Sequence, residues 1–165
     1  LVVAHRLSTI KNADEIAVVA EGKIKEKGYK VKLDTNGSKS EVLRSLINEG
    51  LVDFVAMDIK NTEEKYALTS GSTVPYEEIT SSIDIIKASG IPHEFRTTVV
   101  RELHFAEDFT NIGNWLSGAK AFYLQGFIDS GDLIEKGLSG YDKNQMEDLV
   151  NVLKAYIPNA QLRGV

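Results

Sequence analysis

The feature that most constrains this chain is a short run of alternating apolar residues that ends in a polar turn and passes straight into an amphipathic helix. Tyr29-Lys30-Val31-Lys32-Leu33 alternates as a half-buried strand does, Asp34-Thr35-Asn36-Gly37 is turn-prone, and a helical pattern follows. In an α/β protein such a unit delivers side chains to the carboxyl edge of a parallel sheet, where ligands usually sit. A second strand, Asp53 to Ile59, ends the same way at Asp58-Ile59-Lys60. Two acidic strand ends on neighbouring strands make a candidate site.

The strand–helix rhythm continues. Lys39 to Asn48 reads as a helix with Val42, Leu43, Leu46 and Ile47 on one face, ended by Gly50. Asn61 to Val74 reads as a long polar loop. Pro75 stands near the first turn of a helix to Ala88, where its missing N–H costs nothing. Ile79, Ile83 and Ile86 recur there at helical spacing, and Gly90 and Pro92 close it. Glu94 to Val100 is a strand. Asp108 to Leu116 is a helix with Phe109, Ile112, Trp115 and Leu116 inward, and Ala121 to Gln125 is another strand. Asp142 caps a helix striped by Met146, Leu149, Val150 and Leu153, with Gln145 completing a capping box. Gln161 to Val165 is a last short strand. Ahead of all this, Leu1 to His5 and Glu15 to Ala20 read as strands around a weak helix from Ser8 to Ala13, and Glu21-Gly22 turns the chain into Lys23 to Lys27. Crossovers between parallel strands are right-handed, so the expected fold is a single α/β domain over 1–165, mainly a parallel sheet of repeated β-α units.

One hundred and sixty-five residues suit one domain, able to bury roughly two-thirds of its unfolded surface. The net charge of −5 provides no basic footprint, which disfavours a nucleic-acid partner. No apolar run has the length of a membrane span and no signal peptide opens the chain, so a cytoplasmic protein without membrane contact is expected. The opening Leu1-Val2-Val3-Ala4, with no initiator Met, reads as a strand that begins mid-fold in a fragment. Cysteine is absent, which removes disulfides, thiolate nucleophiles and cysteine-held metals or clusters.

Two resemblances divide the chain. His5, Arg6-Leu7-Ser8-Thr9, Asn12-Ala13-Asp14-Glu15 and Glu21-Gly22 resemble the end of the nucleotide-binding domain of ABC transporters, over about residues 1–28. That resemblance implies a switch histidine at His5 that meets the γ-phosphate of ATP. The chain carries no G-x-x-x-x-G-K-[ST] loop and no signature helix, so His5 stands without its partners. From about residue 23 to 165 the chain resembles radical S-adenosylmethionine activating enzymes, of the anaerobic ribonucleotide reductase and pyruvate formate-lyase activase type. The residues that carry it are Lys23 to Gly37, Val55-Ala56-Met57-Asp58-Ile59-Lys60, His93 to Val100, Tyr123-Leu124-Gln125 and Leu162 to Val165. The two overlap on Gly22 to Gly28, as a recombination joint would where unrelated sequences agree. The implied fold is a partial, TIM-barrel-like half barrel with a βαβ graft at its N-terminus.

In the activating enzymes three cysteines hold a [4Fe–4S] cluster that binds and reduces S-adenosylmethionine. With no cysteine, these residues supply no ligand for it. What the resemblance leaves is the far wall of the cofactor pocket. It implies that Asp34 and Thr35 face the methionine end, that Asp58 helps a monovalent-cation site, and that Lys60 meets the carboxylate. Arg96 and Gln125 match more loosely and take no role. Each also has a plain reading. Asp34 and Asn36 suit any strand-to-helix turn, and Asp58 with Lys60 forms an ion pair worth about 0–1 kcal/mol if exposed. His93 and His104 stand alone, as surface or loop-packing residues, and no metal site is expected. No Ser has a G-x-S-x-G setting. Phe95, Phe109, Trp115, Phe122 and Tyr123 read as core.

The expected function is therefore that of a recombined or engineered chimera with no catalytic residues, no bound cofactor and no intact active site, and so not an enzyme. The alternative is a vestigial fragment that binds S-adenosylmethionine or a cation weakly through Asp34, Thr35, Asp58 and Lys60. A half barrel bares sheet edges, so a homodimer through those edges is the expected association.

Overall fold

The structure is a computed structural model that describes residues 30–128 and 137–164. Along the chain run β1 (Lys32–Thr35), α1 (Ser40–Asn48), β2 (Phe54–Asp58), α2 (Glu63–Ser70), α3 (Tyr76–Ala88), β3 (His93–Val99), α4 (Ala106–Trp115), β4 (Phe122–Gly126), α5 (Lys143–Lys154) and β5 (Ala160–Arg163). The expected strands and helix ahead of Tyr29, and the Gly22 to Gly28 joint, lie outside the described residues. Among the described residues, no helix is long and apolar enough to cross a membrane.

The described residues divide into two units, one holding 30–58 with 77–93, the other 59–76 with 94–128 and 137–164. In the first, β1 and β2 pair in parallel, from Lys32↔Phe54 to Thr35↔Met57. Asp53 secures the start of this pair, accepting the Val31 N–H at Oδ2 (2.8 Å) and donating its own N–H to Val31 O. Val55, Ala56 and Met57 of β2 are wholly buried, which suits the near-continuous apolar run of a parallel strand. Ile79, Ile83 and Ile86 of α3 are buried in this unit, as their spacing predicts, and so is Leu43 of α1. Val42 is not, being 57% exposed. Successive residues of a helix point about 100° apart, so a helix with a narrow buried stripe turns the neighbour of Leu43 to solvent.

The second unit is a parallel β3–β4–β5 ladder, with Phe95 opposite Phe122 and Phe122 opposite Ala160. Phe95, Phe109, Phe122, Leu124, Met146 and Leu153 are fully buried here. The capping box of α5 forms as expected: Gln145 N–H donates to Asp142 Oδ1 (3.0 Å), and Asp142 N–H to Gln145 Oε1 (3.2 Å). Gly113 of α4 lies against Tyr156, where a Cβ would come within 2.7 Å of the ring.

Residues 61–74, read as loop, contain the helix α2. Thr62 has the extended backbone of an N-cap, Glu63 and Glu64 fill the first turn, and Gly71 closes the helix at φ +60°. Acids at a helix N-terminus and a left-handed glycine at its end are ordinary helix signals. The apolar stripe that would have revealed it is missing, since Tyr66 is its one buried residue. Trp115 and Tyr123 are half-buried rather than core. Both are amphipathic rings with a polar group to keep in reach of water or a partner. The fold is thus α/β, with parallel strands built from β-α units.

Candidate functional site

The Asp-Thr-Asn-Gly turn forms where the alternating run ends. Asp34 lies opposite Ala56 and Thr35 opposite Met57, so β1 finishes level with the acidic end of β2 at Asp58. Asp34 is buried, at 8% exposure. Thr35 Oγ1 accepts the Gly37 N–H, and Asn36 Oδ1 accepts the Ser38 N–H, both at 3.0 Å. These are side-chain turns of the kind Thr and Asn favour. Gly37 has φ +74°, and the thioether end of Met57 fills the space a Cβ would need.

Helix α3 braces the same turn. Ser82 Oγ donates to Gly37 O (2.7 Å), and Glu78 Oε2 accepts the Ser40 N–H at the start of α1 (3.0 Å). Hydrogen bonds from Ser40 hold the Glu78 carboxyl below its ordinary value. Ser82 and Glu78 are positioning residues that the sequence reading passed over, because a Ser and a Glu on a helix carry no distinctive pattern.

Asp34, Thr35 and Asp58 thus share the first unit, whereas Lys60 belongs to the second. Lys60 is half-exposed, and its carbonyl is tied to His104. His104 is fully buried, not a surface residue. Its Nε2 lies 2.8 Å from Lys60 O, and its Nδ1 accepts the Val100 N–H at 3.1 Å. With Nδ1 an acceptor and Nε2 the donor, the ring is neutral, and burial lowers its pKa. His93 is buried too, so both histidines pack the fold. Among the described residues, no group of three or more His, Asp or Glu is placed to hold a metal ion.

No protein-family model matches the chain. It is 33% identical over 147 residues to a protein of Methanocaldococcus jannaschii named as a glycyl-radical enzyme activating enzyme, covering 86% of this chain and 61% of that protein. It is also 54% identical over 46 residues to ABC transporter B family member 21 of Arabidopsis thaliana, and 51% identical over 43 residues to an ATP-dependent lipid A-core flippase of Haemophilus influenzae. These matches take up 27% and 26% of the chain, but 4% and 7% of the transporters. The chain therefore spans about three fifths of its activating-enzyme relative and under a tenth of either transporter.

Among solved structures, a domain of pyruvate-formate lyase-activating enzyme from Bacteroides vulgatus superposes with TM-score 0.71 at 13% identity, covering 88% of this chain and 89% of that one. A radical SAM methyltransferase from Sphaerobacter thermophilus superposes with TM-score 0.69 at 11% identity, over 84% of this chain and 42% of that one. At such identity these establish the fold, which is that of radical S-adenosylmethionine proteins. Two unrelated kinds of relative within one chain fit a chimera.

Proposed function

We propose that these residues form a recombined chain with no intact active site from either parent. The observation that carries this reading is the absence of cysteine from a chain so similar to an activating enzyme. The [4Fe–4S] cluster of such enzymes needs thiolate ligands, so the cluster does not fit the residues present. The missing phosphate-cradling loop argues likewise against ATP hydrolysis. Anaerobic reconstitution with iron and sulfide tests this. No visible absorbance band should survive desalting; a stoichiometric cluster, or any reductive cleavage of S-adenosylmethionine, overturns the reading.

A second reading rests on the buried carboxylate of Asp34 at the end of β1. A carboxylate is costly to bury and is kept where positive charge or donors meet it. On this reading Asp34, Thr35 and Asp58 of the first unit bind S-adenosylmethionine or a monovalent cation weakly, without chemistry. Isothermal titration of the chain and of Asp58→Ala decides it: heat that is absent, or unchanged by the substitution, ends the proposal.

A further inference from the structure

The second unit contains a cleft that neither reading uses. Its volume is about 280 Å³, and Tyr76 and Trp115 line it beside Glu63, Glu64, Thr62 and Asn111, over Ile112. Tyr76 and Trp115 stack with ring centroids 4.6 Å apart and planes 29° apart. Tyr66 meets both edge-on, at 5.7 and 6.5 Å, and so fixes the pair from one side. The carboxylate of Glu63 acts on the Tyr76 phenol, adding to burial in raising its pKa far above the ordinary tyrosine value.

The charges here are unmatched. Glu63 and Glu64 are exposed, and among the described residues neither forms an ion pair. The lysine next along the helix, Lys65, is committed elsewhere: both oxygens of Asp108 hold it at 2.7 Å, and it lies 4.8 Å from the Phe105 ring centroid. Thr62, only 6% exposed, lines the same cleft, and among the described residues its Oγ1 has no hydrogen-bond partner. A buried hydroxyl oxygen left so is costly unless a donor reaches it. The carboxylates also suit the N-terminus of α2, but that role leaves their outward oxygens available.

From this we propose that the cleft binds a weakly hydrated organic cation, a guanidinium or alkylammonium group. Aromatic faces attract such cations, and a planar guanidinium stacks on them while presenting N–H donors in a fork. Glu63, Glu64 and Asn111 are the acceptors for that fork. An anion meets two carboxylates. A hard divalent ion meets too few oxygens, since calcium takes about six to eight. The cleft volume suits one side-chain-sized group, from either a free amine or an arginine residue of a polypeptide.

Trp115 is the only tryptophan in the chain, so it reports on the cleft directly. The experiment titrates the whole chain with arginine amide, with a short arginine-bearing peptide and with sodium chloride at matched ionic strength, following Trp115 fluorescence. The expected result is a saturable change with the first two and none with the salt, at millimolar affinity. Glu63→Gln with Glu64→Gln should weaken it roughly three- to tenfold, with unchanged circular dichroism; Glu64→Gln alone is the smaller step should the pair not fold. A peptide that binds more tightly than the amide assigns the cation to a polypeptide, and equal binding assigns it to a free amine. A linear, unsaturable response, an equal response to salt, or affinity unaltered by the glutamine substitutions overturns the proposal.

Discussion

Arg163 of β5 grips the buried carboxylate of Glu94 on β3 through two hydrogen bonds, Nη1 to Oε1 at 2.8 Å and Nη2 to Oε2 at 2.9 Å. Its guanidinium also lies 3.7 Å from the ring centroid of Tyr123 on β4. One side chain thereby ties together the three strands of the second unit. Glu94 is 5% exposed, so removing the arginine leaves a buried charge poorly compensated. Arg163→Ala should cost about 2–4 kcal/mol by urea denaturation. Arg163→Lys should recover less than half, because an ammonium cannot pair bidentately or stack. Full recovery by lysine would show that charge alone matters.

Gly37 makes the turn after β1 possible. Its left-handed backbone disfavours any side chain, and Met57 stands where a Cβ would go. Gly37→Ala should therefore cost about 1–3 kcal/mol through strain and overpacking together. A loss below about 0.5 kcal/mol would place it among neutral surface changes and refute the packing described.

His104 makes stability depend on pH. Burial sets its folded pKa below the ordinary value of 6.5, so the unfolded chain takes up the proton first. Its contribution is intact above that ordinary value and falls as the pH drops below it. Denaturation midpoints at about pH 7.5 and about pH 5.5 should fall more steeply for the parent chain than for His104→Gln. Glu78 and Glu102, held low by hydrogen bonds from Ser40 and Ser139, lose theirs only as the pH falls below the ordinary glutamate value of 4.5. The two windows are thus separable.

Asp142 accepts the Gln145 N–H, a free amide in the first turn of α5, and Gln145 Oε1 returns the bond by accepting the Asp142 N–H while also accepting from Arg101 at 2.7 Å. Asp142→Ala should cost about 1 kcal/mol, with Asp142→Asn nearly silent. Equal losses in both would mean that charge at the helix end, rather than the cap bond, is responsible.

Local chemistry made several elements legible in advance. Asp142 with Gln145, the isoleucines of α3 and the apolar run of β2 each belong to a pattern completed within a few residues, and each appears as expected. Helix α2 was missed because its evidence lay in end signals around a polar sequence, whereas its one buried residue, Tyr66, packs on rings distant in sequence. Of the candidate site, the turn at Asp34 to Gly37 was readable. Its bracing by Ser82 and Glu78 was not, because those bonds span 45 and 38 residues.

The sequence by itself determined the class of the fold, the absence of thiolate chemistry and the likeness to two unrelated families. These follow from hydrophobic period, residue inventory and motif, all of which are properties of the chain before it folds. Only the tertiary structure decided that Asp34, His93 and His104 are buried, and that Tyr76 and Trp115 stack beside acids with no ion pair among the described residues. Burial and pairing are set by which distant segments meet, and no local pattern encodes that meeting. The Asp34–Gly37 turn belongs to both accounts: its own residues make the turn, Met57 and Ser82 hold it in place, and Glu78 secures the start of the helix that follows.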